Sequence, residues 1–269
     1  MSRYAIDGGR EGKARLKLLA RVMLPTTSQL LKRVGLSKGM KCLDVGCGGG
    51  DVTRLMASVV GPEGKVVGTD ADLEVLTMAQ QDAETEHLDN VEFHHTDASV
   101  CQGEDENDLV YARFLLTHLS DPEKCLNAMV KACKPHGLIV IEDIDFAGSF
   151  CYPPYPAYER YAELYQQVIQ RRGGDPNIGP KLPGMLRKAG AEEVQVNVVQ
   201  PTHLHGDGKF MAAITMERIS DSVVSEGLAT EVEVKQVISG LTDAAADPET
   251  LISLPRVFQT WGRRPKTKD

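Results

Sequence analysis

Between residues 40 and 145 the chain alternates five times between short apolar runs and longer segments with apolar residues at helical spacing. Strands that alternate with helices form a parallel sheet with right-handed crossovers. Runs such as LIVI and KVVG are apolar throughout, which is typical of strands covered by helices on both faces. The pattern therefore predicts a doubly wound α/β fold with strands at 40–45, 65–70, 91–98, 108–114 and 138–145.

The rhythm changes after residue 146, where helical segments dominate. A sixth strand is predicted at 192–201 and a final antiparallel strand at 255–263, so the sheet is mainly parallel and seven-stranded. We expect a single domain over 1–269 with helical insertions. Its parts are an N-terminal helical cover (1–35, two short helices separated by Pro25), a cofactor-binding core (36–145), and insertions that form a substrate lid (146–190 and 202–250).

The composition limits the partners of the chain. A formal net charge of −8 disfavours nucleic acid, because phosphate binding needs a surplus of Lys and Arg. No apolar stretch approaches the roughly 20 residues of a membrane span, and the start lacks the apolar core of a signal peptide. The six cysteines form no CxxC pair, so no metal site is predicted. We expect a cytoplasmic protein, monomeric or homodimeric, that contacts neither membrane nor nucleic acid.

The segment CLDVGCGGGD, residues 42–51, places four glycines directly behind the first predicted strand. Glycines at a strand–helix turn let a ligand approach the backbone without interference from Cβ atoms. The free N–H groups at the start of the following helix point to the same place. Because ligands of doubly wound sheets bind at the carboxyl ends of the strands, the turn predicts a nucleotide-like cofactor.

The acids around the turn narrow the choice of cofactor. In a dinucleotide fingerprint that starts at Gly46, the third glycine is replaced by Asp51, whose carboxylate would face a pyrophosphate. The Gly-Lys-Ser/Thr of a P-loop is absent. Asp44 precedes the first glycine and suits a cofactor with a cationic amino group and no phosphates. S-adenosylmethionine has both properties.

CLDVGCGGG resembles motif I of the class I S-adenosylmethionine-dependent methyltransferases, in particular the bacterial enzymes that act on small molecules. Four further blocks of that family follow in order, among them DLVYARFLLTHLSDPEKCL and KACKPHGLIVIEDID. The resemblance covers about residues 35–145. His136 stands where the family has a glycine in a turn.

The resemblance implies a set of cofactor contacts. Asp70, at the end of the second strand, would accept hydrogen bonds from both ribose hydroxyls, and Ala71 would lie against the adenine. Asp97 would accept from the adenine amino group, while the N–H of Ala98 would reach a ring nitrogen. The other implied cofactor residues are Asp44, Gly46, Gly48 and Gly50 in the turn, Ala112 and Arg113 at the methionine end, and Tyr4 in a leading segment folded over the cofactor.

Methyl transfer needs positioning and, for a hydroxyl acceptor, a general base, but no covalent enzyme intermediate. His118, just after the fourth strand, is the candidate base. Glu142 and Asp143 close the fifth strand and could contact the acceptor. The aromatic segment after that strand predicts a lid over a small organic acceptor, with Tyr152 and Tyr155 in the pocket.

Other functions remain open at this point. One is a protein or RNA methyltransferase, and another is a non-catalytic module that binds S-adenosylmethionine. An NAD-dependent dehydrogenase is disfavoured by Asp51 and by the lack of a Tyr-x-x-x-Lys motif. The main prediction is transfer of a methyl group from S-adenosylmethionine to a small molecule, with S-adenosylhomocysteine as product.

Overall fold

The structure is a computed structural model that describes residues 9–100 and 103–266, with side chains from Arg15 onward. The first half of the chain alternates strands and helices as predicted. Its elements are α1 (Gly9–Val34), β1 (Lys41–Val45), α2 (Asp51–Val60), β2 (Lys65–Asp70), α3 (Leu73–Thr85), β3 (Val91–His95), β4 (Asn107–Arg113), α4 (Pro122–Ala132) and β5 (Cys133–Asp145).

Helices dominate the second half. Its elements are β6 (Cys151–Tyr152), α5 (Pro156–Arg171), α6 (Leu182–Lys188), β7 (Glu192–Val199), β8 (Thr202–His203), α7 (Met211–Ser225), α8 (Glu231–Ala246), β9 (Leu251–Ser253) and β10 (Arg256–Arg263). Short 3-10 turns occur at Leu116–His118, Phe146–Gly148, Gly179–Lys181 and Asp207–Phe210. Within the described residues no helix is long and apolar enough to cross a membrane.

Seven strands form one sheet in the order β3-β2-β1-β4-β5-β10-β7. Strands β1 to β5 pair in parallel, whereas β10 runs antiparallel to both of its neighbours. This confirms the predicted doubly wound, mainly parallel, seven-stranded sheet. After β1, the chain adds β2 and β3 on one side of that strand. It then returns to the other side of β1 to add β4, so the strand order reverses between β1 and β4. A small second sheet, β6-β9-β8, was not predicted.

Both faces of the sheet are covered because side chains alternate along each strand. Tyr111 and Val140 pack on one face with residues of α1 and α2, among them Leu30 and Met56. Their neighbours in the strands pack on the other face with α4 and α6; these include Val110, Ala112, Ile139 and Ile141. The two-sided burial explains why these strands read as continuous apolar runs.

The helical insertions separate into two groups. Helix α6 lies against the sheet beside α4, with Leu182 and Leu186 in the same core cluster as β4 and β5. Helices α5, α7 and α8 instead pack on one another, and their shared core holds Tyr161, Tyr165 and Met216. The second group also contains Ile144 and Phe146, which lie at the carboxyl end of β5.

Helix α1 is continuous through Pro25, so the prediction of two short helices was wrong. Proline removes one backbone donor and usually kinks or ends a helix. Here the missing hydrogen bond falls on the exposed face, while Met23 and Leu30 on either side of it are buried against the rest of the protein. The burial of these side chains therefore outweighs the free-energy cost of the backbone hydrogen bond that is missing at Pro25.

A buried carboxylate joins α1 to the sheet. Glu142, fully buried in β5, accepts a hydrogen bond from the Thr27 hydroxyl of α1 at 2.7 Å and from the Gln259 amide at 2.8 Å. The Tyr111 hydroxyl donates a third. A buried carboxyl group is tolerated when it is hydrogen-bonded, and three side-chain donors meet this one.

Thr27→Val is expected to destabilise the fold by about 1–3 kcal/mol, because it leaves a buried carboxylate without one of its donors. Urea unfolding measures the change. Thr77→Val is the matched control, since Thr77 is exposed and its hydroxyl donates to the Leu73 carbonyl of its own helix. An equal loss in both variants would contradict the structural role of Thr27.

Candidate active site

A cavity of about 960 Å³ opens at the carboxyl ends of the central strands, on the side where the strand order reverses. The glycine turn, the ends of β2 to β5 and the inner faces of α1, α5 and α7 line it. Among its lining residues are nine that the sequence predicted: Asp44, Gly46, Gly48, Asp70, Ala71, Asp97, Ala98, Arg113 and His118.

The glycines of the turn have two different roles. A Cβ on Gly46 would meet the Leu115 side chain at 2.7 Å, and one on Gly50 would meet Phe93 at 2.8 Å. Gly48 and Gly49 have open space at the Cβ position and line the cavity. Gly50 therefore permits close packing of α2 and does not line the cavity, although a cofactor contact was predicted for it. Gly49 lines the cavity and was not among the predicted residues.

Asp70, at the end of β2, connects the turn to the neighbouring strand. One carboxylate oxygen accepts from the N–H of Gly48 at 2.9 Å, and the other accepts from the N–H of Asp72 at 3.0 Å. Burial raises the pKa of Asp70, and these two N–H donors oppose that rise. A carboxylate has further lone pairs, so Asp70 can also accept hydrogen bonds from a diol in the cavity.

Asp44 lies at the floor of the cavity, where it is 2% exposed. Its carboxylate accepts a hydrogen bond from the Thr53 hydroxyl at 2.6 Å. Burial raises the pKa of Asp44 to about 7, against the opposing effect of Thr53. The group therefore changes its charge near neutral pH, and a cation beside it would favour the ionised form.

Arg113, at the end of β4, forms an ion pair with Asp51 at 2.6 Å and donates to the Thr27 hydroxyl at 3.3 Å. The pair holds the start of α2 against β4 at the cavity wall. Ala112 is fully buried on the opposite face of the sheet and does not line the cavity. Consecutive strand residues point to opposite faces, so the side chain of Ala112 lies on the other face from that of Arg113, and its contact with the methionine end stays a prediction.

Asp97 and Ala98 follow β3 at the outer end of the cavity. Asp97 is exposed, and its carboxylate accepts from the N–H of Ser99 at 2.8 Å. The Ser99 hydroxyl and N–H lower the pKa of Asp97, so it is ionised at neutral pH. Ala98 is half-buried beside it. A charged acceptor and a small residue at this position suit the edge of a flat ring.

The inner end of the cavity is aromatic. Phe146 stacks on Tyr165 with ring centres 4.1 Å apart and meets Tyr161 edge-on at 5.8 Å. His118 lies nearby in the Leu116–His118 turn, and burial lowers its pKa to about 4, with Arg15 and Arg172 adding to the effect. The imidazole is therefore neutral at pH 7 and able to accept a proton.

Several predicted residues lie away from the cavity. Glu142 is enclosed by the hydrogen bonds described above, and Asp143 accepts from the N–H groups of Thr117 and Ile144 at 3.1 and 2.8 Å. Burial raises the pKa of Asp143 to about 7. Tyr152 is 68% exposed, and the Tyr155 hydroxyl donates to Asp247. None of these four lines the cavity.

Tyr4 lies outside the described residues. Sequence reasoning missed Arg15, Phe146, Tyr161, Tyr165 and Arg172, all of which line the cavity. Tyr161 and Tyr165 share one face of α5, and this spacing was the available signal. Nothing in the sequence around Arg15 distinguished it from a surface arginine. Within the described residues no three potential metal ligands lie together.

Residues 36–173 match the family described as a methyltransferase domain. The chain belongs to this family. It is 30% identical over 185 residues to the demethylmenaquinone methyltransferase of Geobacillus stearothermophilus. The match covers 62% of this chain and 77% of that enzyme.

Solved structures extend the similarity. A SAM-dependent methyltransferase from Aquifex aeolicus is 25% identical, with a TM-score of 0.50 over 64% of this chain and 81% of its own. Phosphoethanolamine N-methyltransferase 2 from Haemonchus contortus, solved with S-adenosyl-L-methionine, is 17% identical, with a TM-score of 0.57 over 90% of this chain and 53% of its own. The protein is a class I S-adenosylmethionine-dependent methyltransferase with the Rossmann-like fold of that class.

The residues at the site fit this cofactor. Gly48 and Gly49 leave room for a ligand against the backbone, and the carboxylates of Asp44 and Asp70 lie on the same side of the cavity. Arg113 is already paired with Asp51, so this end presents acceptors for a cation and for hydroxyls. When bound, S-adenosylmethionine supplies a methyl group on a positively charged sulfur.

Cofactor affinity is expected to rise with pH as Asp44 ionises, because only its charged form attracts an ammonium group. The Kd of S-adenosylhomocysteine should fall by up to about tenfold between about pH 6 and about pH 8, as isothermal titration calorimetry can measure. In Asp44→Asn the affinity should be weaker and the pH dependence lost. An equally steep pH dependence in this variant would assign the effect to another group.

Proposed function

We propose that this methyltransferase acts on a small organic acceptor that binds in the inner part of the cavity, beneath α5 and α7. The observation that carries the proposal is the aromatic wall of Phe146, Tyr161 and Tyr165, which continues the cavity past the carboxylates of the cofactor end. Aromatic side chains with polar tips bind compact organic molecules. The name of the Geobacillus stearothermophilus relative also supports a small-molecule acceptor.

We infer the cofactor contacts from the same geometry. Asp70 accepts hydrogen bonds from the ribose hydroxyls, and Asp44 attracts the amino group of the methionine portion. The adenine lies between Ala71 and Ala98, with Asp97 accepting from its amino group. The support is that all five residues line one end of the cavity.

We propose that His118 accepts the proton that a hydroxyl or protonated nitrogen acceptor loses. The support is its position on the wall of the cavity that Tyr161 and Tyr165 also line. Its low pKa keeps it neutral at pH 7 and also makes it a weak base. A neutral imidazole can take a proton without first losing one. Glu142 and Asp143 are set aside for this role because neither lines the cavity.

A protein or RNA acceptor fits the site less well. The inner part of the cavity is bounded by α1, α5 and α7, and the chain carries a net charge of −8. Thermal stabilisation by S-adenosylmethionine, S-adenosylhomocysteine and NAD, followed by turnover with small acceptors, tests the proposal. Stabilisation without turnover of any acceptor would favour a non-catalytic binding module.

Asp70→Ala is expected to weaken S-adenosylhomocysteine binding by at least about tenfold, because the ribose contacts and the hydrogen bond that shapes the glycine turn are both lost. Isothermal titration calorimetry provides the measurement. Asp108→Ala is the matched control: Asp108 lies at the amino end of β4, where it pairs with Lys134 and does not line the cavity. Unchanged affinity in Asp70→Ala would mean that the ribose binds elsewhere.

His118→Gln is expected to lower kcat by about 10²-fold or more, while the Kd of S-adenosylhomocysteine changes little. The loss should be smaller for an acceptor that reacts without losing a proton. Steady-state kinetics with both acceptor types separate proton transfer from a general effect on packing. Equal losses for the two acceptors would leave His118 as a packing residue only.

A further inference from the structure

Charges are divided between the two ends of the cavity. Most of its acidic lining residues lie at the carboxyl ends of β1 and β2 or in the first residues that follow β1, β2 and β3; they are Asp44, Asp51, Asp70, Asp72, Glu74 and Asp97, and Asp121 lies just before α4. At the inner end the described lining residues from α1, α5 and α7 include no carboxylate. The charged groups there are Arg15 from α1 and Arg172 just after α5, with the neutral His118 beside them.

Arg15 occupies an unusual position for an arginine. Its Nε donates to the Thr215 hydroxyl of α7 at 3.2 Å, and Tyr161, Tyr165 and Arg218 are its charged or titratable neighbours. Among the described residues no carboxylate forms an ion pair with it. Burial and the nearby Arg218 lower the pKa of Arg15. Since no described carboxylate offsets the charge of this half-buried guanidinium, the site favours the binding of an anion.

Arg172 differs from Arg15 because it is already paired within the protein. Its guanidinium donates to the Ser222 hydroxyl at 2.6 Å and to the Glu226 carboxylate at 3.3 Å. Arg172 therefore adds positive charge to this end of the cavity but is held in place. Among the described residues of the inner end, Arg15 is therefore the arginine that presents guanidinium N–H donors to the cavity without a carboxylate partner.

We propose that Arg15 binds an anionic oxygen group of the methyl acceptor, so that the acceptor is a compact, largely aromatic molecule carrying a carboxylate or an ionised phenol. This rests on the proposed function of the same cavity. The aromatic wall of Phe146, Tyr161 and Tyr165 packs on the ring of the acceptor. A guanidinium recognises a carboxylate through charge-assisted hydrogen bonds, which are stronger in a buried site than in water.

Arg15 could instead bind the carboxylate of the cofactor. Replacing Arg15 would then lower the affinity for S-adenosylhomocysteine, whereas our proposal predicts a lower affinity for the anionic acceptor. The acidic groups that attract the cofactor lie at the other end of the cavity, whereas the neighbours of Arg15 are Thr215, Tyr161 and Tyr165. This placement favours the acceptor. Affinity for S-adenosylhomocysteine, measured without an acceptor, separates the two.

The test uses benzoate and benzamide as probes, because they share a shape and differ in charge. Each is titrated into the protein saturated with S-adenosylhomocysteine, and binding is followed by ligand-observed NMR. Wild-type protein should bind benzoate about tenfold or more tightly than benzamide. Arg15→Gln should abolish this preference, and Arg15→Lys should keep part of it because the charge remains.

Arg21→Gln is the matched control, since Arg21 lies on the same helix but is exposed and paired with Asp207. It should preserve the preference for benzoate. In all three variants the Kd of S-adenosylhomocysteine should stay within about twofold of wild type, which also shows that they fold.

Two results would overturn the proposal. One is a wild-type protein that binds benzamide as well as benzoate, or that binds neither at millimolar concentration. The other is an Arg15→Gln variant that keeps the preference for benzoate but loses about tenfold in affinity for S-adenosylhomocysteine, which would assign Arg15 to the cofactor. Failure of the proposed function is recognised separately, by the absence of methyl transfer to any acceptor, charged or neutral.

Discussion

The position of α1 over the cavity depends on the buried Glu142 carboxylate. Thr27 from α1, Tyr111 from β4 and Gln259 from β10 all donate to it, so one charge on β5 joins three other elements. Since an unpaired buried carboxylate is costly, the three donors are held in position together. The same helix carries Arg15, Leu16 and Leu19 to the cavity wall. A residue that does not line the cavity thus shapes its wall.

A second constraint sets the shape of the glycine turn. Asp70 on β2 accepts from the N–H of Gly48, which lies in the turn after β1, so two neighbouring parallel strands fix one loop. Gly46 and Gly50 allow the packing around it, because larger residues would collide with Leu115 and Phe93. The open positions left at Gly48 and Gly49 are those that face the cavity. The conformation of the turn therefore depends on Asp70, Leu115 and Phe93 as well as on its own glycines.

The lining residues at the carboxyl ends of the strands were largely predictable from the sequence, and those at the inner, aromatic end of the cavity were not. Asp44, Asp70, Asp97 and Arg113 follow parallel strands, and the carboxyl ends of such strands meet at one edge of the sheet. Ala112, next to Arg113, has its side chain on the other face of the sheet and does not line the cavity. At the inner end, Tyr152 and Tyr155 were chosen from the aromatic segment, but the cavity is lined by Tyr161 and Tyr165, about two to three helical turns beyond Tyr155. Their direction depends on how α5 packs against α7 and α8.

The sequence by itself determined the doubly wound sheet, the glycine turn and the acids that follow the strands. These features depend on contacts between residues close in the chain or on rules that hold for any parallel sheet. Tertiary structure alone decided that α1 runs unbroken through Pro25, that Glu142 is enclosed while Arg15 faces the cavity, and that the described lining residues of α1, α5 and α7 include no carboxylate. Each of these depends on which distant elements pack together. Local patterns carry no information about that, because burial and partners are set only once the helices cover the sheet.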